Sequence, residues 1–400
     1  MVLFEVMKTM KFAALATLLL LSVCAQAFDS KPSVQPQSLV STGDLSRVWQ
    51  VMAKAQRGEK VIVAVIGGSI TQGAKASKTE LRYGNLVAGW WREAFPQAQI
   101  EFVNAGIGAT GSNFGALRAQ RDLLSHKPDV VVVEYGVNDG NTPAFAETLE
   151  GLIRQILKQP NHPAVLQLFM MHQGGGNAQE WHSKVGIHYN LPIISFRDAL
   201  WPEIQAKRLT WESVMADEVH PNDLGHSCAA DFVDYLLDMA RSTCPALTAI
   251  KLPMPPIKPL PAPLFSDLYE HTSLFESPDL KPISNTGWTL DTTLKNWVSD
   301  KPGSVIAFEI NGTAIFSMHF VIKRAMGKAK MQVDNNTPVI YDGWFNQTWG
   351  GYRSTNLLAK DLKPGKHIVR IELLEEKNPG SDGHEFKLFG LGAAGVTTSP

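Results

Sequence analysis

The sequence predicts two folds in series: an α/β layer structure on a parallel sheet, then an antiparallel β-sandwich of jelly-roll character. Three observations carry this. From Lys60 to Arg241, short apolar runs alternate with amphipathic stretches; seven prolines stand between Pro245 and Pro263; beyond them strand-like segments follow one another with turn signals and no comparable helix. A length of 400 residues fits two domains, and 44% hydrophobic with 19% charged residues is the composition of a globular chain with large cores. A formal charge of -1 lacks the basic excess of a nucleic-acid binder, so no nucleic-acid partner is expected.

The elements follow in order. Lys8 and Lys11 precede an apolar run from Phe12 to Val23 and then Ala25-Gln26-Ala27, the pattern of a secretory signal peptide cleaved after Ala27. The mature chain is therefore expected to be exported, periplasmic or secreted. The run is too short to span ~30 Å of hydrocarbon, so no stable membrane insertion is expected after cleavage. Val61–Ile66, Ile100–Val103, Val130–Glu134, Val165–Met170 and the short Ile193–Ile194 read as buried strands. Between them Tyr83, Leu86, Val87, Trp90 and Ala94 share a helix face, as do Phe145, Leu149, Leu152 and Ile156. That alternation implies a parallel sheet covered on both sides, with reactive groups at the carboxyl ends of its strands. A last helix is read over Asp223–Met239. It carries Cys228 roughly 20 Å from its end, too far for a bridge to Cys244 whose Cα must come within ~7 Å. Both thiols are expected to be free and buried.

The proline-dense stretch reads as an extended linker. After it, Ser304–Ile310, Ala314–Lys323, Lys328–Asp334, His367–Leu374 and Phe386–Leu388 read as strands. The expected division is a signal peptide over 1–27, a catalytic domain over 28–244, a linker over 245–264 and an accessory sandwich over 265–400.

Four clusters at the predicted strand ends carry chemistry. VIVAVIGGSITQG puts Ser69 directly after a strand; NAGIGATGS puts glycine backbone after the next; EYGVND ends the third with Asn138 and Asp139; ADEVHPND places Asp217 three residues before His220. A serine hydroxyl becomes a nucleophile when an imidazole takes its proton, and a carboxylate orients that imidazole. The oxyanion then needs donors set in advance, for which the glycine loop, the Ser69 N–H and the Asn138 amide are candidates. The glycine segment lacks the lysine of a phosphate-binding loop. No metal-ligand spacing is present, and no cofactor is expected.

With these four blocks in this order, the stretch from Lys60 to Arg241 resembles the SGNH (GDSL-type) hydrolases, serine esterases on a flavodoxin-like three-layer α/β/α fold. The resemblance implies Ser69 as nucleophile, His220 as base, Asp217 as its partner, and Asn138 as an oxyanion donor beside the Ser69 N–H. It implies a glycine N–H as well, placed at Gly108 with Gly106 as rival. Two departures stand out: Gly68 replaces the acidic residue of GDSL, and the second block is about one residue short. His172, Gln173 and Trp211 are further candidates for substrate contact, and so are Trp344, Trp349 and Tyr352 of GWFNQTWGGYR, whose rings suit a sugar face. The expected activity is removal of acyl groups, acetyl foremost, from a carbohydrate, by resemblance to secreted polysaccharide O-acetylesterases. Lipid or aryl ester hydrolysis, O-acetyl transfer, and sugar binding without catalysis are the alternatives.

Overall fold

The computed structural model describes residues 34–247 and 253–396. The predicted signal peptide lies outside the described residues. The first part runs β1 (Leu39–Ser41), α1 (Ser46–Gln56), β2 (Lys60–Gly67), α2 (Ser69–Gln72), α3 (Tyr83–Ala94), β3 (Gln99–Gly106), α4 (Ser112–Asp122), β4 (Val130–Glu134), α5 (Pro143–Leu157), β5 (Ala164–Phe169), α6 (Gln179–His188), β6 (Ile193–Ser195), α7 (Phe196–Gln205), α8 (Trp211–Val214) and α9 (Asp223–Thr243). The sheet order is β1-β6-β5-β4-β2-β3. All pairings are parallel except that of β1, which adds an antiparallel edge the sequence pattern did not announce.

Alternation along β2 sorts its side chains between two cores. Val61, Val63 and Val65 join one with α1, α3 and α9, while Ala64 and Ile66 join the other with α4 and α5. Strands apolar on both faces are what a sheet covered by helices requires. Cys228 and Cys244 are buried and joined by no disulfide, as expected.

The second part holds β7 (Thr272–Glu276), β8 (Ser284–Thr286), β9 (Thr289–Asp291), β10 (Asn296–Ser299), β11 (Val305–Asn311), β12 (Ala314–Val321), β13 (Lys328–Val333), β14 (Val339–Asp342), β15 (Tyr352–Ala359), β16 (Lys366–Leu373) and β17 (Phe386–Ala394). They form two antiparallel sheets, β15-β12-β17-β10-β9 with β7 on β17, and β14-β13-β16-β11-β8. Ile306, Phe308, Ile315, Ile371 and Leu391 fill the space between them. The predicted antiparallel sandwich is present, with β17 running to Ala394 rather than stopping at Leu388.

The two parts are joined by more than the chain. The α4/α5 core continues into Tyr269, Phe316, Met318 and Ala394 of the second part. A Cβ on Gly392 would meet Leu117 of α4 at 2.6 Å, so the backbone of β17 lies directly on that helix. Polar contacts frame this apolar seam. Glu270 pairs with Arg154 and Lys158, and Arg121 reaches Glu276 at 2.7 Å. Residues 253–263 carry no regular structure, yet Arg154 Nη1 donates to the Pro261 carbonyl at 2.9 Å and the His188 ring meets the Ala262 carbonyl at 2.8 Å. Residues 253–263 are therefore held against the first part at Pro261 and Ala262.

Candidate active site

Parallel strands bring successive strand-to-helix turns to one edge, and the predicted clusters meet there. Ser69 opens the single turn of α2 directly after β2. The glycines before it serve space rather than an unusual backbone angle. A Cβ on Gly67 would lie 2.2 Å from Thr71 Oγ1, and one on Gly68 would lie 1.9 Å from Asn138 Oδ1. A side chain at 68 would thus meet the Asn138 carboxamide as it is placed here.

Ser69 Oγ lies 2.9 Å from His220 Nε2. His220 Nδ1 is 3.0 Å from each oxygen of Asp217. Asp217 Oδ1 also accepts the backbone N–H groups of Val219 at 2.9 Å and His220 at 2.8 Å. Burial pushes the Asp217 carboxyl up, but those two N–H groups and the imidazole outweigh it and hold it below the ordinary aspartate value. Lys75, with φ 68°, brings its Nζ to 3.6 Å from Asp217 Oδ2. The chain of hydroxyl, imidazole and carboxylate is one that can activate a serine.

The donors differ in their freedom. Gly106 N–H donates to Asn104 Oδ1 at 2.8 Å, and Asn104 Nδ2 donates to the Thr71 carbonyl at 2.9 Å. That asparagine therefore ties the glycine loop to the serine turn, while the Gly108 N–H donates to the exposed Gln72 Oε1 at 3.0 Å. Gly108 borders the serine, since a Cβ there would be 3.7 Å from Ser69 Cβ. Its neighbour Ala109 sits at φ 56°, a left-handed conformation uncommon for a residue with a side chain. The Asn138 carboxamide makes no hydrogen bond among the described residues, its buried Oδ1 included, while Asp139 Oδ1 accepts the Ser112 N–H at 2.9 Å. Asp139 thus fastens the Asn138 turn to the start of α4.

The remaining candidates divide. His172 is half-buried; burial pushes its imidazole down, and a hydrogen bond to the Val137 backbone pushes it back up. The Gln173 N–H donates to the Glu218 carbonyl at 2.8 Å, so both residues flank the turns carrying Asn138 and His220. Trp211 is a correction. It is only 8% exposed, and its indole N–H donates to the Asp217 carbonyl at 2.9 Å, so it braces the Asp217 turn from below and offers no face for stacking. Trp344 packs on Gly380 and stands apart from the other rings. Phe345, Trp349 and Tyr352 form a cluster, with Trp349 stacked on Tyr352 at 5.7 Å. Trp349 is 59% exposed. Tyr352, Arg353, Ser354 and Thr355 of β15 face Ala109, Thr110, Asn113 and Asn138 across a cleft of 160 Å³.

Sequence reasoning missed the layer beneath. Arg118 of α4 is fully buried; its Nη2 donates to the Gly67 carbonyl at 3.2 Å and to the Tyr135 hydroxyl at 3.0 Å. Glu134, fully buried at the end of β4, accepts the Gly136 N–H at 3.1 Å and lies beside Thr71. Burial, with a smaller push from Asp139, drives its carboxyl up to about 8 against the Gly136 and Thr71 hydrogen bonds. Nothing in the pattern marked either residue, because each sits within what reads as an ordinary helix or strand end.

A family model described as GDSL-like lipase/acylhydrolase matches residues 65–228. A two-domain esterase (CEX) active on acetylated mannans, co-crystallised with mannopentaose, is 32% identical; the similarity covers 92% of this chain and 99% of that one, with a TM-score of 0.82. The chain belongs to the GDSL-like lipase/acylhydrolase family. The same two-domain esterase without the sugar superposes at 0.83. Among curated family members, thioesterase 1/protease 1/lysophospholipase L1 of Escherichia coli (strain K12) is 26% identical over 177 residues, 42% of this chain and 79% of that protein.

Proposed function

We propose that the protein is an exported serine esterase that removes acetyl groups from a carbohydrate through an acyl-serine at Ser69. The observation that carries the reading is the chain Ser69 Oγ, His220 Nε2, His220 Nδ1, Asp217, with spacings of 2.9 and 3.0 Å, beside a cleft walled by Tyr352 and Arg353. His220 takes the Ser69 proton as Oγ adds to the acyl carbon. The Gly108 and Ser69 N–H groups and Asn138 Nδ2 receive the oxyanion, and His220 returns the proton to the departing sugar oxygen. Water, deprotonated in turn by His220, then releases acetate and restores Ser69.

The substrate class rests on the acetylated-mannan esterase that this chain resembles over nearly its whole length, and on the exposed Trp349. A cleft lined by Thr110, Asn113, Arg353, Ser354 and Thr355 suits hydroxyl groups better than an acyl tail, which weighs against a lipase. Export rests on the pattern of residues 1–27. The division into 28–244, 245–264 and 265–400 belongs to the same proposal.

The test is acetate release by the mature chain and by Ser69→Ala, on an aryl acetate and a panel of acetylated polysaccharides. Activity should fall at least about a thousandfold in the variant, with acetylated polysaccharide preferred over long-chain esters. Equal release by the two proteins sinks the serine mechanism, and a preference for long acyl chains sinks the carbohydrate assignment.

A further inference from the structure

The N–H groups of the glycine loop are held by three different acceptors. Gly106 N–H donates to Asn104 Oδ1 at 2.8 Å, Ile107 N–H to the Gly67 carbonyl at 3.1 Å, and Gly108 N–H to Gln72 Oε1 at 3.0 Å. The first two acceptors are fixed. Asn104 is anchored at its other end on Thr71, and the Gly67 carbonyl is backbone that also receives Arg118. Gln72 is not fixed in this way. It is exposed at the end of α2, and its Nε2 has no hydrogen-bond partner among the described residues. A Cβ on Gly108 would lie 2.9 Å from Gln72 Oε1 and 3.7 Å from Ser69 Cβ, so the carboxamide oxygen and the nucleophile border the same glycine.

We propose that Gln72 determines how readily the site accepts an acyl group, because its carboxamide oxygen fills the resting oxyanion position and the ester carbonyl must displace it. The inference rests on the esterase reading above. An amide oxygen is a close chemical stand-in for an ester carbonyl: both are neutral, planar acceptors. The oxyanion that follows is charged, and hydrogen bonds to it are shorter and stronger, so the displaced side chain does not compete once the tetrahedral state forms. The competition therefore falls on ground-state binding, whose apparent affinity is reduced by the fraction of molecules with the position open.

The test uses Gln72→Ala and Gln72→Glu in the mature full-length chain, with an aryl acetate as substrate. Carbonyl-13C isoleucine with 15N-glycine labels only the Gly67 and Gly108 amides, since Ile66-Gly67 and Ile107-Gly108 are the Ile-Gly pairs of the sequence. In Gln72→Ala the Gly108 signal should shift and exchange faster with solvent while the Gly67 signal stays. KM should fall about two- to tenfold, as loss of one neutral hydrogen bond implies, with kcat within a factor of two. In Gln72→Glu the carboxylate should hold the N–H more tightly and raise KM. An unmoved Gly108 signal in Gln72→Ala overturns the proposal. So does a lower kcat at unchanged KM, which makes Gln72 a donor or a brace. Wild-type protein that releases no acetate overturns the esterase reading itself, a result separate from the Gly108 signal.

Discussion

The two sheets of the cleft supply its residues in opposite ways. In the parallel sheet every strand from β2 to β6 points the same way, so the turns after β2, β3 and β4 gather at one edge and deliver Ser69, Gly108 and Asn138 together. In the sandwich the strands alternate in direction and no edge collects successive turns. Its contribution comes from one place, the loop before β15 and the first residues of that strand. Parallel topology concentrates backbone donors, whereas antiparallel topology presents side chains from a face or a loop. Chemistry should therefore fail through the first sheet and polymer recognition through the second.

Removal of the Asn138 carboxamide gives the largest effect predicted from this contrast. Asn138→Ala should lower kcat about 10²- to 10³-fold on a small acetyl ester and on polymer alike, as loss of one oxyanion donor does. Steady-state kinetics check this, and a change confined to polymer would erase the contrast. Trp349→Ala removes an exposed ring and should leave the small ester untouched while raising KM for the polymer about tenfold, the scale of one aromatic contact. If both substrates suffer equally, the ring supports the fold or the chemistry rather than the sugar.

The two parts also bury titratable groups of opposite tendency. His319 sits inside the sandwich against Phe386, its Nδ1 without a partner, and burial pushes it down to about 4. The unfolded chain then binds more protons between pH 6.5 and 4, so the sandwich should lose stability as pH falls through that window. Glu134, pushed up to about 8, works the other way: the folded chain holds its proton between pH 4.5 and 8, so stability falls as pH rises across that range. Hydrogen exchange corrected for intrinsic rates should show sandwich peptides loosening as pH falls from 6.5 to 4 and the β2–β4 edge loosening as pH rises toward 8. His319→Leu should remove the former trend and Glu134→Gln the latter. Exchange that loosens both parts together at each extreme would mean that coupling between them outweighs these local groups.

Legibility followed the same divide. The strands of the parallel sheet were readable because burial on both faces turns them into continuous runs such as VVVVE, fully buried over β4. In the sandwich, β8 is exposed throughout and β15 is largely half-buried, so neither shows a two-residue alternation. The aromatic stretch GWFNQTWGGYR, which carries no strand pattern, enters β15 at Tyr352. The strand read over Phe386–Leu388 continues through GLGAA, whose small residues let β17 lie against Leu117. At the site, residues at strand ends announced themselves by type and order. Asn104, Gln72, Arg118 and Glu134 act through contacts across the fold, and a side chain's far partner leaves no local mark. Trp211 was misread for the same reason: position beside Asp217 did not reveal that its ring lies beneath the turn.

The seam between α4, α5 and the sandwich bears on how this chain can be altered. A segment with seven prolines between Pro245 and Pro263 advertises a detachable accessory that could be trimmed or exchanged at will. Leu117, Phe316, Met318 and Ala394 belong to one apolar cluster that spans the seam. A cut in that segment therefore leaves two fragments still bound by a shared interior, and a truncated first part would carry a bare oily flank on the helix whose Arg118 steadies the serine turn. Grafting a different sandwich onto this chain means redesigning that flank, not merely joining ends.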